Sequence, residues 1–258
     1  MKRFFEFCDK TFCKEVLNGG TILYRKQDHS LNCLSTKLVV NRNNDSSSAT
    51  MQGLIDRPSM VSSINKSVSA LIMVYANLND AEIKELEEQV CKKSIKFQRG
   101  KISFPNKYKD FLRLANGLSI MNGALLLDGL QKLTSENVDL PYSPDSLYLQ
   151  QGNGIRSPSI PNNLIEIGAY MYNRSNIYID SISGKIFAYD GDYHDLELTW
   201  SKKDQKKYAE MQVPLIGVWN NLDEFLLEET MRLWNLYEET PWSYSSMNET
   251  TLPALLLQ

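Results

Sequence analysis

The sequence has few of the residues on which catalysis and metal binding usually depend. It contains two histidines and four cysteines among 258 residues. The Gly-x-Ser-x-Gly motif of serine hydrolases does not occur in it. A chain of this length buries a sizeable core without disulfide staples. We therefore predict a protein that is not an enzyme and that needs no cofactor.

Long apolar runs are also missing. The longest spans residues 68–76, is interrupted by Ser69, and is far shorter than the roughly 20 residues of a membrane-spanning helix. Near the start of the chain, Glu6, Asp9 and Lys10 interrupt the stretch where a signal peptide needs apolar residues. We therefore expect a cytoplasmic protein with reduced thiols and no membrane contact, in which residues 68–76 belong to the core.

The patterns that are present divide the chain into three parts. An aromatic-rich stretch ending at Asn18-Gly19-Gly20 predicts a helix, and residues 21–24 and 38–40 read as short strands. The Asn- and Ser-rich tract at 41–48 predicts a linker. We predict an N-terminal extension or small subdomain over 1–75, a main domain over 76–240 and a tail over 241–258. The extension should pack separately or cover one edge of the main sheet.

Three helices of the main domain have recognisable ends. Asn79 with Glu82 predicts a capping box, as does Asn221 with Glu224. Pro105 suits a first helical position, and Asn116-Gly117 supplies a left-handed stop for the helix that it begins. Short β-branched or aromatic segments predict strands at 124–127, 164–167, 176–180, 185–189 and 196–200. The order of these elements predicts an α+β fold, an antiparallel sheet flanked by helices, with a small additional N-terminal segment.

The ordered motifs of the main domain resemble those of the SUKH superfamily, in its branch related to yeast cell-wall-assembly regulators. The resemblance covers residues 78–237 and depends on order and spacing, since each motif alone is common. The motifs are Phe104-Pro105-x-x-Tyr108-x-x-Phe111-Leu112-x-x-x-Asn116-Gly117, Ile167-Gly168, Ile177-Tyr178-Ile179-Asp180, Gly184-Lys185-Ile186-Phe187 and Trp219-x-x-Leu222-x-x-Phe225-Leu226.

For bacterial members, this resemblance implies an immunity protein that binds and neutralises a cognate protein toxin, often one that attacks nucleic acids. It implies no catalytic residues. The alternative is an adaptor, scaffold or regulatory protein-interaction domain, although the superfamily's adaptors tend to carry long disordered flanks. A hydrolase or metal protein is the third class, and it would require a deep polar pocket that brings His194 together with neighbouring carboxylates. Two parts of the chain depart from the pattern: residues 1–75 have no recognised counterpart, and the lysine-rich stretch at 201–214 reads as an insertion.

Charge and tyrosine content suggest where such a partner binds. Residues 134–200 hold nine acidic residues against three basic ones, together with seven tyrosines. Tyrosine is enriched at protein interfaces, and carboxylates steer a basic partner toward its site. We therefore expect a toxin-binding face and no direct contact with nucleic acid. The predicted partner-binding residues are Tyr142, Asp145, Asp192, Tyr193 and Asp195.

Two groups offer metal ligands of suitable chemistry. Cys8, Cys13, His29 and Cys33 make a possible Cys3His zinc set. Within one helix, however, residues five apart point about 140° away from each other, so Cys8 and Cys13 share an ion only if the helix is broken. The carboxylates and the imidazole of the run from Asp190 to Asp195 lack the spacing of an EF-hand. We predict buried thiols, an exposed acidic turn and no bound metal.

Overall fold

The computed structural model describes residues 1–17, 20–26, 70–121, 123–130, 147, 157–170, 175–190, 206, 210 and 212–239. Four helices lie in these ranges: α1 (Lys2–Thr11), α2 (Asp80–Lys96), α3 (Asn106–Leu112) and α4 (Leu222–Glu239). The strands are β1 (Phe12–Val16), β2 (Ile22–Lys26), β3 (Ala70–Val74), β4 (Leu118–Ile120), β5 (Leu125–Leu127), β6 (Leu164–Tyr170), β7 (Asn176–Asp180), β8 (Ile186–Tyr189) and β9 (Leu215–Trp219).

The nine strands form one open sheet, and their order in it follows their order in the chain. Every neighbouring pair is antiparallel. Strands β1 and β9 are the two edges of the described sheet. The predicted combination of helices with an antiparallel sheet is therefore confirmed.

Alternation along the strands gives the sheet two different faces. Ile22, Val74, Leu118 and Leu127 are cross-strand neighbours in one row and point to one face. That face packs against all four helices in a single hydrophobic cluster. The helices contribute to this cluster Phe4 and Cys8 from α1, Ile83, Leu86 and Val90 from α2, Tyr108, Phe111 and Leu112 from α3, and Leu222, Phe225, Leu226 and Leu233 from α4.

The N-terminal strands belong to this same sheet. Strand β3 pairs with β4, and β2 and β1 continue outward from it. The described strands of residues 1–75 are consecutive members of the main sheet, whereas the sequence predicted a segment that packs separately or covers one edge of it. Sheet and core both continue across the predicted boundary near residue 75, because β3 is a buried strand that pairs on both sides. The predicted strand at 38–40, the linker and the tail lie outside the described residues.

Several predicted helix and strand ends are confirmed. The Asn79 side chain accepts a hydrogen bond from the Glu82 N–H at 3.0 Å, and the Glu82 carboxylate accepts one from the Asn79 N–H at 2.8 Å. At the start of α4, Asn221 Oδ1 accepts from the Glu224 N–H at 3.0 Å, while the Glu224 carboxylate accepts from the Asn220 N–H at 3.2 Å, one residue earlier than in the predicted capping box. Pro105 immediately precedes α3 rather than beginning it. The sequence rules therefore located these ends to within about a residue.

The prediction for the first helix was wrong at its end. Helix α1 stops at Thr11, and the next residues form β1 instead of continuing toward Asn18. The reason is tertiary: Phe12 is buried, with its ring 4.9 Å from that of Trp234 and 6.5 Å from that of Tyr24. Pairing with β2 and packing under α4 outweigh the local helix preference. Strands β3, β4 and β9 were also not predicted as strands, and the predicted strand at 196–200 lies outside the described residues.

Asn116 has a different structural role from the predicted one. Helix α3 ends at Leu112, well before Asn116-Gly117, although Gly117 does have a positive φ of 84°. The Asn116 side chain accepts a hydrogen bond from the Leu130 N–H at 2.6 Å and donates one to the Leu130 carbonyl at 2.8 Å. Its amide thus holds the segment that follows β5 against the turn before β4.

Gly168 lies at a bulge in β6 where two strands approach closely. The register between β6 and β7 shifts between Glu166 and Gly168. A Cβ atom on Gly168 would overlap the Leu126 carbonyl oxygen and lie 2.9 Å from the Leu127 Cα. Both of these neighbours are backbone atoms, so a side chain at this position would force β5 and β6 apart.

We expect Gly168→Ala to destabilise the protein by about 3 kcal/mol, at the upper end of the usual cost of overpacking, because backbone cannot move aside as a side chain can. Gly100→Ala is the matched control. Gly100 has a φ of +88° and open space around it, so the same substitution should cost only the backbone strain of about 1 kcal/mol. Urea unfolding of both variants measures the difference, and equal losses would show that Gly168 is not sterically constrained.

Candidate interaction surface

The predicted partner-binding residues Tyr142, Asp145, Asp192, Tyr193 and Asp195 lie outside the described residues, so their role stays a prediction. The structure does place three of the seven tyrosines in the acidic run. Tyr170, Tyr178 and Tyr189 are all buried. None of these three is a predicted contact, and at these positions the rings fill the interior.

The sheet face opposite the helices carries a second apolar layer at its β6 to β9 end. Tyr178 lies directly across from Phe187, and Phe187 lies across from Val218. In the next row on this face, Tyr189 lies across from Leu215. The rings of Tyr178 and Tyr189 meet edge to face, 5.7 Å apart. The cluster on this face contains Ile160, Leu164, Tyr178, Tyr189 and Val213, with Phe187 packed against it.

These apolar rows continue onto the open edge of the sheet. On β9, Leu215 is 49% exposed and Val218 is 50% exposed. The strand has the sequence Leu-Ile-Gly-Val-Trp and carries no charged side chain. We call Phe187, Leu215 and Val218 the edge surface. Ile182, at the tip of the β7–β8 turn, is 83% exposed. This turn lies next to the Trp219 end of β9, because Ile186, which begins β8 after the turn, pairs with Trp219.

The opposite edge of the sheet is built differently. Strand β1 carries Lys14 and Glu15, which form ion pairs with Asp9 at 3.1 Å and Arg25 at 3.0 Å. Charged side chains on an edge strand discourage pairing with another chain. Strand β9 has no such protection within itself, so among the described strands it is the edge suited to accepting a further strand.

Trp219 holds β9 in place. Its ring lies over Gly217, where an added Cβ would overlap the ring carbons. The same ring meets Phe225 of α4 edge to face at 4.8 Å. An aromatic ring that covers a glycine on a neighbouring position compensates for the missing side chain of that strand. Trp219 therefore joins the edge strand to the last helix.

The β7–β8 turn is fixed by Asp180. Its carboxylate accepts hydrogen bonds from the Ile182 N–H, the Ser183 hydroxyl and the Asn163 amide, each at 2.8 Å. Partial burial acts to raise the pKa of Asp180, but these hydrogen bonds outweigh it and the net pKa is lowered. A turn held by the charged form of a carboxylate becomes weaker when that carboxylate is protonated.

The stabilising contribution of Asp180 should therefore depend on pH. Its folded-state pKa lies below the ordinary value of 3.8, so its contribution is fully present above that value and is lost as the pH falls through the folded pKa. We expect Asp180→Asn to be less stable than the unmodified protein near neutral pH, and the difference to shrink below pH 3.8. Urea unfolding across this range tests it, and a pH-independent difference would contradict the assignment.

The cysteines do not come together as zinc ligands in the described structure. Helix α1 does break between Cys8 and Cys13, but Cys8 is fully buried in the core, while Cys13 lies on β1. Burial, aided by the charge of Asp9, raises the pKa of the Cys8 thiol well above its usual range. His29 and Cys33 lie outside the described residues, as does most of the run from Asp190 to Asp195. Within the described ranges, no three His, Cys, Asp or Glu side chains form a metal-binding group.

The Cys8 thiol should therefore be chemically inert in the folded protein, because thiol reagents attack the thiolate. We expect iodoacetamide to label Cys8 only after unfolding in urea, while the partly exposed Cys91 is labelled without it. Peptide mass spectrometry distinguishes the two sites. Rapid labelling of Cys8 in the native protein would show that α1 opens readily from the core. Zinc analysis of the same protein tests the prediction that no metal is bound.

Comparison with protein-family models, with curated proteins and with solved structures finds no match to this chain. No helix within the described ranges has both the length and the apolar character needed to cross a membrane.

Proposed function

We propose that this chain is a SUKH-like immunity protein that binds a cognate toxin domain and neutralises it without catalysis. The observation that supports this proposal is the uncharged edge strand β9, with two half-exposed aliphatic side chains at the end of an apolar face. Immunity proteins act by occupying a surface, and such an edge provides one. The ordered SUKH-like motifs of residues 78–237 support a protein toxin as the partner.

In the proposed complex, an extended segment of the toxin adds to the sheet as a further strand beside β9. Main-chain hydrogen bonds supply affinity in this mode of recognition, and alternate side chains supply specificity. The rows that end at Leu215 and Val218 are apolar. The segment that fits them is therefore uncharged, with aliphatic or aromatic residues at alternate positions on the face opposite the helices.

In the proposed complex, acidic residues near β9 orient the approaching toxin. The chain between residues 134 and 200 has three times as many acidic as basic residues, and Asp180 and Asp190 stand at the two ends of the β7–β8 hairpin. A basic toxin would be drawn toward this end of the sheet before its segment docks. Tyr142, Asp145, Asp192, Tyr193 and Asp195 are proposed as contacts around the strand.

Neutralisation without catalysis has a measurable stoichiometry. The toxin encoded beside this protein is titrated with it, and toxin activity is followed. If the protein neutralises the toxin by binding it, toxin activity should fall linearly and reach zero when the two proteins are present in equal amounts. Loss of activity at far lower amounts would instead show enzymatic detoxification. If no neighbouring gene encodes a toxin, the adaptor alternative takes precedence.

The edge surface can be tested with two substitutions of the same kind on opposite edges. Val218→Lys adds a charge to β9, and Val16→Lys adds one to β1, where Val16 is 62% exposed. We expect Val218→Lys to weaken toxin binding by about 30-fold, equivalent to about 2 kcal/mol at a central contact, mainly through faster dissociation. Val16→Lys should leave binding unchanged.

Both positions are exposed, so thermal unfolding should show little change in stability for either variant. Surface plasmon resonance measures the rates, and survival of cells that co-express the toxin gives the functional result. Equal binding by the two variants would rule out β9 as the contact. Survival without any complex would rule out neutralisation by binding.

A further inference from the structure

A basic segment in the described part of the chain is not used by the proposed toxin-binding surface. Residues 89–109 hold seven Lys or Arg and no acidic residue, in a protein whose net charge is −3. The segment covers the C-terminal part of α2, the turn after it and the first half of α3. Such a run of one sign in an acidic protein is a local feature rather than a property of the whole surface.

Some of these cations have structural roles. Lys93 and Arg99 are buried, and Lys109 forms an ion pair with Glu87 at 2.8 Å. Lys92, Lys96 and Lys101, at the end of α2 and just after it, differ from them because all three are exposed, as is Lys107 on α3. Within the described part of the chain, none of the three takes part in an ion pair of the kind that Lys109 makes. They are charges directed to solvent, and we call them the lysine cluster.

The end of α2 keeps the lysine cluster together. The Arg99 N–H donates to the Ser94 carbonyl at 2.9 Å, and the Ser94 hydroxyl donates to the Gly100 carbonyl at 2.8 Å. These bonds close a turn in which Gln98 and Gly100 both have positive φ. A tight turn therefore directly follows the helix, and Lys101 lies beside the last turn of α2.

Two cations lie over the ring of Phe97 at this turn. Lys96 Nζ lies 5.5 Å from the ring centroid, and the Arg99 guanidinium carbon lies 5.8 Å from it. Cations over an aromatic ring are attracted by its electron-rich face. The backbone N–H groups of Phe97, Gln98 and Arg99 are already bonded to helix carbonyls, so any anion bound here is held by the lysine side chains.

Stabilisation of the helix explains only part of this charge. Cations near a helix C-terminus interact favourably with the helix dipole, within about the last turn. That accounts for Lys93 and Lys96. It does not account for Lys101, which follows the helix, or for the absence of an acidic residue between residues 89 and 109.

We propose that the lysine cluster binds the phosphate backbone of a nucleic acid. Lysines that neutralise phosphates supply sequence-independent binding. A protein partner fits less well, because lysine is depleted at protein–protein interfaces relative to arginine and aromatic residues, and the exposed cations of this segment are all lysines. This inference departs from the expectation of no direct nucleic-acid contact, and it is independent of the toxin-binding edge surface.

The test measures binding of the full chain to a fluorescently labelled duplex DNA and to a labelled single-stranded RNA by anisotropy. With three phosphates neutralised, the affinity between about 50 and about 200 mM salt should fall by about 40-fold for the duplex and by about 20-fold for the single strand. The variant Lys92→Glu/Lys96→Glu/Lys101→Glu should lose binding to both probes. An affinity of the unmodified protein that hardly changes with salt concentration would overturn the proposal.

The matched control is Lys10→Glu/Lys84→Glu/Lys185→Glu. These three lysines are also exposed, and the change in net charge is the same, so the control should keep most of the affinity. Equal losses in both triple variants would show a net-charge effect and overturn the proposal. Binding of polyglutamate but of neither nucleic acid would assign the cluster to an acidic protein instead. Retained toxin immunity in the first variant separates this result from a failure of the proposed function.

Discussion

The burial of one face of a nine-stranded sheet beneath four helices holds the described structure together. Every helix contributes to a single cluster on that face, so the helices have no separate core on which to fold. The last helix contacts both ends of this arrangement, because α4 packs on α1 and carries the Phe225 ring that meets Trp219 of β9. The edge surface is therefore only as well ordered as this shared core.

Local chemistry made much of the main domain predictable. The side-chain caps that Asn79 and Asn221 make to the N–H groups of Glu82 and Glu224 join residues three apart, so the sequence alone contains the whole interaction. Strand β7 was predicted with its observed ends, since β-branched residues precede a turn that begins with Asp180. The antiparallel sheet followed from the order of such elements. Resemblance to SUKH proteins added a functional hypothesis that the comparisons do not test.

What sequence reasoning missed depends on partners distant in the chain. Phe12 begins a strand because Tyr24 and Trp234 pack on it, and no local pattern shows that. The edge surface arises because Val218 and Phe187 become neighbours across two strands, whereas the sequence favoured tyrosines and carboxylates. Three tyrosines of the acidic run 134–200 are interior. The sequence does not reveal this, because an aromatic residue on a strand gives the same pattern whether it faces solvent or a second layer.

The strand order has a consequence for how the chain folds. Each strand pairs with the one that precedes it in sequence, so the sheet can grow by successive addition in a way that a shuffled order does not allow. The contact of α1 with α4 is the exception, because the Phe4 N–H reaches the Asp223 carboxylate across 219 positions of sequence. Closing so long a loop costs chain entropy that only the finished core repays. Docking of the first helix is therefore expected late in folding, after the last helix has formed.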